Sequence, residues 1–156
     1  MEFTHFDESG NAYMVDVSGK DITKRTAVAT GKIRVSGEVM DAVLGHKIKK
    51  GDVLTVAQVA GIMGTKRTSD LVPMCHPISL TNAKVTFEID EEESEITVYC
   101  TAVTEGKTGV EMEALTGVSV ALLTIYDMCK AIDKRMTMSD IHLVEKTGGK
   151  SGEFRY

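Results

Sequence analysis

The residues best suited to chemistry in this chain fall into three groups. The first is basic. Lys47, Lys49 and Lys50 precede Gly51, Lys66 and Arg67 close an apolar helical stretch, and Lys146 and Lys150 flank Gly148 and Gly149. Lysines are ordinarily solvated surface. Beside glycines, however, backbone N–H groups can approach an anion together with the ammonium groups. This set is therefore a candidate phosphate pocket gathered from several segments. Two strings imitate a nucleotide loop, Gly106-Lys107-Thr108 and Gly149-Lys150-Ser151. The full P-loop pattern requires a glycine where Thr101 and Val144 stand, and no helix fits between Lys150 and Tyr156, so an ATPase reading is rejected. The start of the helix at 107–110 is a further place where an anion could be held, although a plain helix cap is the simpler reading.

The second group is Cys75-His76, set between the only two prolines, Pro73 and Pro77. Proline fixes φ and removes a donor, so 68–78 is expected to be a stiff loop, with apolar Leu71, Val72, Met74 and Ile78 tucked against the domain. An imidazole held in such a loop can donate to a phosphate or move a proton near neutral pH. Zinc is not expected, because too few ligands stand nearby. Cys75 alone reads as a small hydrophobe rather than a nucleophile.

The third group lies on one long helix. Glu113 and Asp127 point about 40° apart around its axis but sit roughly 21 Å apart along it. Asp127 and Lys130 are i,i+3 neighbours, close enough to pair. That helix has little free surface, so a partly buried pair with shifted pKa values is expected, suited to acid–base work. Glu113 and Asp127 are too distant for one compact site within one chain. Either one of them is outside the site, or the site forms between subunits.

The elements that must position these groups follow from the apolar pattern. Residues 1–26 read as an irregular arm anchored by Met14, Val15 and Val17. A strand is expected from Ala27 to Ser36 and a short helix from Glu38 to Leu44. Asp52 caps a helix running to about Lys66, with Val53, Val56, Ala60 and Met63 as its inward stripe. Two alternating segments, Val85–Phe87–Ile89 and Ile96–Val98–Cys100–Ala102, flank the acidic run 90–95 and predict a hairpin with a solvated tip. Thr108 and Glu111 have capping-box spacing before a helix reaching about Arg135. Its stripe is Val110, Ala114, Val118, Ala121, Ile125, Met128 and Ile132, widened by Leu115, Leu122, Tyr126 and Cys129. Val120 and Leu123 occupy the other side, and an apolar second face points to contact with another subunit. A strand at Ile141–Val144 precedes a Gly-rich tail, 146–156. The order strand, helices, strand, strand, helix, strand is that of an α+β, ferredoxin-like fold with helices on one face of an antiparallel sheet.

The 156 residues suit one domain, with 42% hydrophobic and 26% charged residues. A formal net charge of -5 opposes broad nucleic-acid binding but permits a local basic pocket. Three cysteines far apart in sequence, Cys75, Cys100 and Cys129, fit a reducing cytoplasm. The polar N-terminus shows no signal peptide, and no apolar run suggests a membrane span.

Four strings carry a resemblance to a known family: Tyr13-Met14-Val15-Asp16-Val17-Ser18, LVPMCHPISL at 71–80, GKTGVEMEALTGVSVALLTIYDMCKAIDKRM at 106–136, and EKTGGKSGEF at 145–154. Together they resemble the cyclic pyranopterin monophosphate synthase family, the molybdenum cofactor biosynthesis protein C family, over essentially the whole chain. Tyr13 stands where that family often has a smaller residue or His. The resemblance implies a ferredoxin-like subunit assembled as a homohexamer, a trimer of dimers, with active sites at a dimer interface. It implies a lyase that converts (8S)-3′,8-cyclo-7,8-dihydroguanosine 5′-triphosphate to cyclic pyranopterin monophosphate with release of diphosphate. It further implies Asp127, Lys50 and Lys130 as catalytic residues. Substrate contacts are implied at Met74, Cys75, His76, Met112 and Glu113, and further pocket positions at Arg25, Lys66 and Lys146. No cofactor or metal is implied, and an upstream radical enzyme is the implied source of substrate. Two rival readings are a ferredoxin-like RNA module, which needs stacking aromatics where the strands offer only Phe87 and Tyr99, and a metal-handling protein using Cys75 and His76.

Overall fold

The computed structural model of the protein describes residues 4–45 and 52–156. Its elements are β1 (Thr23–Arg34), α1 (Gly37–Leu44), α2 (Val53–Thr65), α3 (Thr68–Leu71), β2 (Leu80–Asp90), β3 (Glu95–Gly106), α4 (Glu111–Cys129), β4 (Thr137–Thr147) and β5 (Phe154–Arg155). The strands form one sheet in the order β2-β3-β1-β4-β5, with every neighbouring pair antiparallel. The first four strands have the ferredoxin-like order, and the helices cover one face. The alternation read from the hairpin holds. Val85, Phe87 and Ile89 stand opposite Cys100, Val98 and Ile96, and Ile96, Val98, Cys100 and Ala102 are fully buried.

Helix α1 is capped by Ser36, whose side chain accepts from the Val39 amide, and α2 by Asp52, whose side chain accepts from the Thr55 amide. The inward face of α2 differs from the expected stripe. Val53, Ala57, Gly61 and Gly64 are buried, whereas Val56 and Met63 are exposed. The cause is a close crossing with α4. A Cβ at Gly61 would lie 2.9 Å from the Gly117 carbonyl oxygen, and one at Gly64 would lie 2.8 Å from Val120. Only small residues fit there, so the larger apolar side chains turn outward. At Gly117 a Cβ would stand 2.5 Å from Cys100 Sγ and 2.8 Å from Thr65 Cγ2. Gly117→Ala is therefore expected to lose about 1–3 kcal/mol through overpacking, read as a lower Tm. An unchanged Tm would show that the crossing relaxes freely.

Helix α4 bears out the stripe from Val110 to Met128, all of it buried. It ends at Cys129 rather than near Arg135. The Asp133 carboxylate captures the Arg135 amide and guanidinium, each at 2.9 Å, a local alternative to helical bonding. Ile132 is accordingly part-exposed. By length and composition α4 could cross a bilayer, which the sequence pattern did not indicate. Here the side chains of its buried stripe line the core between the sheet and α2.

Several boundaries also move. β1 starts at Thr23 because its first four residues pair with Val103–Gly106 through backbone bonds that need no apolar side chain. The irregular arm therefore ends sooner than residue 26. β4 spans Thr137–Thr147, and the glycine-rich tail turns back so that β5 pairs with Glu145 and Lys146. The loop between the two prolines follows the one-turn helix α3. Met74, Cys75, His76 and Ile78 are half-buried as expected of a tucked loop, but Leu71 is 63% exposed.

Candidate active site

Three adjoining cavities run along one end of the sheet. The first, of about 390 Å³, is lined by the arm (His5, Val15, Val17, Lys20), by Met74, Cys75, His76 and Ile78, by Thr108 and Gly109 ahead of α4, and by Glu111, Met112 and Glu113 at its start. The second, of about 230 Å³, joins Lys20, Arg25 and Thr108–Glu111 to Lys146, Gly148 and Ser151. The third, of about 430 Å³, lies among Lys20, Asp21, Thr23, Arg25 and Gly149–Ser151. They share Lys20, and together they make a groove. Met74, Cys75, His76, Met112 and Glu113 lie at one end of it, and Arg25, Lys146 and Lys150 at the other.

The buried end holds a carboxyl. Glu113 is 3% exposed, and burial pushes its carboxyl up to about 7, with nearby Glu111 adding to the effect and its own amide opposing it. Its proton is thus exchangeable near neutral pH. Burial, and then Glu113, raise the Cys75 thiol, so Cys75 is held as a neutral thiol, in keeping with its reading as an inert residue. His76 is fixed as the stiff loop predicts, with Nε2 2.8 Å from the Val15 carbonyl oxygen. A carbonyl only accepts, so Nε2 carries the hydrogen and donates.

The basic end is tied together by hydrogen bonds. Lys146 Nζ donates to Glu111 Oε1 at 2.8 Å and to Ser151 Oγ at 3.0 Å. This overturns the capping box. Glu111 reaches Lys146 instead of back to Thr108, and the cap position is Val110, with no side-chain cap bond. Arg25 Nε donates to the Gly106 carbonyl at 3.0 Å, and its Nη2 to the Lys107 carbonyl at 3.2 Å. Its Nη1 lies where a Cβ on Gly149 would be, and a Cβ on Gly148 would strike the Lys24 carbonyl oxygen. Gly148 and Gly149 have positive φ, 91° and 80° respectively, so the tail packs against Arg25 only with glycine at these positions. Thr23 Oγ1, beside the third cavity, is buried and has no hydrogen-bond partner among the described residues.

Three predicted site residues lie elsewhere. Lys66 is the exposed C-cap of α2, outside these cavities. Asp127 and Lys130 sit at the far end of α4. They pair, with Nζ to Oδ1 at 2.6 Å, but the pair is exposed (Lys130 48%, Asp127 59%) rather than partly buried. Lys130 is raised by its hydrogen bond to Asp127 and then by the charge of that carboxylate, which keeps it an ammonium ion. Lys50 lies outside the described residues. Among the described residues no group of three or more His, Cys, Asp or Glu side chains could hold a metal.

Lys20 and Glu111 are two of the groove residues that sequence reasoning missed. Lys20 belongs to a polar arm with no periodicity to mark it, and only the folded arm brings it to the groove. Glu111 carried a signal, its spacing from Thr108, but that signal pointed to a cap.

The fold and groove define a class: a ferredoxin-like α+β protein with a polar groove suited to a small polyanion, cationic at one end and with a buried protonatable carboxyl at the other. The chain belongs to the MoaC family, whose model matches residues 14–149. It is 59% identical over 155 residues to a cyclic pyranopterin monophosphate synthase of Clostridium perfringens (strain SM101 / Type A), covering 99% of this chain and 98% of that protein. Proteins of the same name from Desulfitobacterium hafniense (60% identical, 99% and 94% covered) and Desulforapulum autotrophicum (55% identical, 98% and 94% covered) are similar to it over the same span.

Proposed function

We propose that this chain is the lyase of molybdenum cofactor biosynthesis that converts (8S)-3′,8-cyclo-7,8-dihydroguanosine 5′-triphosphate to cyclic pyranopterin monophosphate and diphosphate. The observation that carries the reading is the near end-to-end match, at 55–60% identity, to proteins bearing that enzyme's name. The groove supports it. A nucleotide-derived triphosphate needs fixed cations along its phosphates, and Lys20, Arg25, Lys146 and Lys150 line adjoining cavities.

In this reading a substrate hydroxyl gives its proton to the Asp127 carboxylate and attacks the α-phosphorus, one P–O bond forms, the bond to the β-phosphate oxygen breaks, and diphosphate leaves with the electron pair. Lys146, Lys150 and the Nη1 of Arg25 neutralise the developing charge. Met74, Cys75, Met112 and Glu113 surround the ring system, and Glu113 exchanges a proton with it. His76, whose Nε2 hydrogen is donated to the Val15 carbonyl, lines the same end of the groove and holds the arm beside the ring system. Asp127 and Lys130 act as base and acid in the rearrangement, with Lys50 as their partner. Lys66 is a more distant pocket position.

Asp127 and Glu113 are fourteen residues apart on one helix, so both reach one substrate only if they come from different copies. The reading therefore includes a self-assembled protein, a hexamer built as a trimer of dimers, with the Asp127–Lys130 end of one α4 completing the groove of a neighbour. The outward apolar side chains Val56, Val59, Met63 and Leu123 support such assembly. Cysteines kept as thiols support a cytoplasmic setting, and an upstream radical enzyme is the source of the triphosphate.

The reading is tested by incubating the purified protein with the cyclised triphosphate and following diphosphate and pterin product together. Equal amounts of both are expected. Diphosphate without pterin would make the chain a plain phosphohydrolase.

A further inference from the structure

Lys107 stands apart from the groove residues named above. It lies on the β3–α4 connection, beside a smaller cavity that it shares with Val17 and His76. Its Nζ donates to the Ser18 carbonyl at 2.6 Å, across 89 positions of sequence. Its own carbonyl accepts from Arg25 Nη2, as the Gly106 carbonyl accepts from Arg25 Nε. The Gly106–Lys107 peptide is thus bracketed to the sheet by Arg25, while its side chain reaches out to the arm.

The arm is otherwise organised on itself. Phe6 and Ala12 form an isolated bridge, Asp7 accepts from the Ser9 and Asn11 amides, and Asp16 accepts from the Ser18 amide at 2.8 Å. Among the described residues, two hydrogen bonds tie its backbone to the rest of the protein before β1 begins. These are His76 to the Val15 carbonyl and Lys107 to the Ser18 carbonyl. Asp16 lies between these two anchors, its carboxyl held below the usual range first by the Ser18 backbone and more weakly by the charges of Lys107 and His76. Two residues past the Lys107 anchor comes Lys20, whose amide bonds back to the Val17 carbonyl and whose side chain lines all three cavities.

We infer that Lys107 is a positioning residue for the phosphate end of the groove. By pinning the Ser18 carbonyl to the Arg25-bracketed peptide, it sets where the arm delivers Lys20. It touches no substrate and acts through the arm. The inference rests on the proposed function only for its kinetic consequence; the clamp itself is a property of the free protein.

The test compares wild type with Lys107→Met, which keeps the stem and removes the donor, and with Lys107→Arg, which keeps a donor. The backbone carbonyls that hold Arg25 are present in all three. Hydrogen–deuterium exchange of the substrate-free protein is followed in peptides covering residues 13–22 and, as a control, in β2 and β3. With Lys107→Met, the arm is expected to exchange about tenfold faster while β2 and β3 are unchanged, because a charge-assisted anchor has been lost. KM for the cyclised triphosphate is expected to rise about tenfold with kcat within about twofold, the pattern of lost binding rather than lost chemistry. Lys107→Arg is expected to restore both. Arm exchange unchanged in Lys107→Met would overturn the clamp. A fall in kcat at constant KM would overturn the positioning role and place Lys107 in the chemistry. If wild type does not turn over the triphosphate, the proposed function fails, and the exchange experiment still decides the clamp.

Discussion

Asp127→Asn is expected to lower single-turnover diphosphate release by about 10²–10⁴-fold, the range set by removing a positioned general acid or base, while leaving the fold intact. The two halves of this expectation rest on different observations. The Asp127–Lys130 pair is exposed on both sides, and pairs of that kind contribute at most about 1 kcal/mol, so thermal unfolding should shift by only a few degrees. Turnover should nevertheless collapse. Asparagine keeps the shape and a hydrogen-bond acceptor for Lys130 but cannot take a proton. Rapid-quench measurement of diphosphate, with substrate binding followed separately, distinguishes the outcomes. Intact turnover with weakened binding would remove Asp127 from acid–base duty and make it a ligand.

The second large effect concerns Glu113. Its folded-state carboxyl stands at about 7, against an ordinary value of 4.5. Between those pH values the folded protein holds a proton that the unfolded chain has released. Stability contributed at low pH is therefore lost as pH rises from about 4.5 to about 7, and the loss is complete above that. Each tenfold change in proton affinity between the folded and unfolded states is worth about 1.36 kcal/mol, which puts the total on the order of 3 kcal/mol. Glu113→Gln cannot ionise. Its urea-unfolding free energy should lack the Glu113 contribution to the fall across this window and should exceed that of wild type by about 2–3 kcal/mol at pH 8, with no gain at pH 4.5. The pH limb that Glu113 gives to turnover should vanish in the same variant. Parallel stability–pH curves for wild type and Glu113→Gln would show that the buried carboxyl does not titrate as burial requires.

The legible and illegible parts of the sequence separate by physical cause. The stripe on α4 was readable because Val118, Ala121, Leu122 and Ile125 recur at helical spacing against the sheet. The β2–β3 alternation was readable for the matching reason at period two. The inward face of α2 was not. Apolar size marks Val56 and Met63, but the crossing with α4 selects Ala57, Gly61 and Gly64 for being small. The boundaries of β1 and β4 were hidden because backbone ladders extend through Thr23–Thr26, a run of threonines and cations, and through Thr137–Ser139, where Met138 is a lone apolar side chain. In the groove, Cys75-His76 between prolines and Glu113 near the start of α4 were legible as chemistry-bearing residues, and the structure gathers them. Their joining to Arg25, Lys20 and Lys146 depends on contacts between the arm, the β3–α4 connection and the tail, which no local pattern encodes. The i,i+3 spacing of Asp127 and Lys130 encodes their pairing but not their exposure, since the free surface at that end of α4 depends on where the helix stops.

In the proposed assembly one active site combines the groove of one copy with the Asp127–Lys130 end of another. The most direct measurement is single-turnover diphosphate release from the cyclised triphosphate by Lys146→Ala, by Asp127→Ala, and by the two variants unfolded together and refolded as an equal mixture. Each variant alone should be inactive. Random pairing in a two-fold dimer should give the mixture about a quarter of wild-type activity, because half the dimers are mixed and each of those carries one intact site. A mixture as inactive as its components, with mixed dimers demonstrated by mass, would contradict the account and place both residues of a site on a single chain.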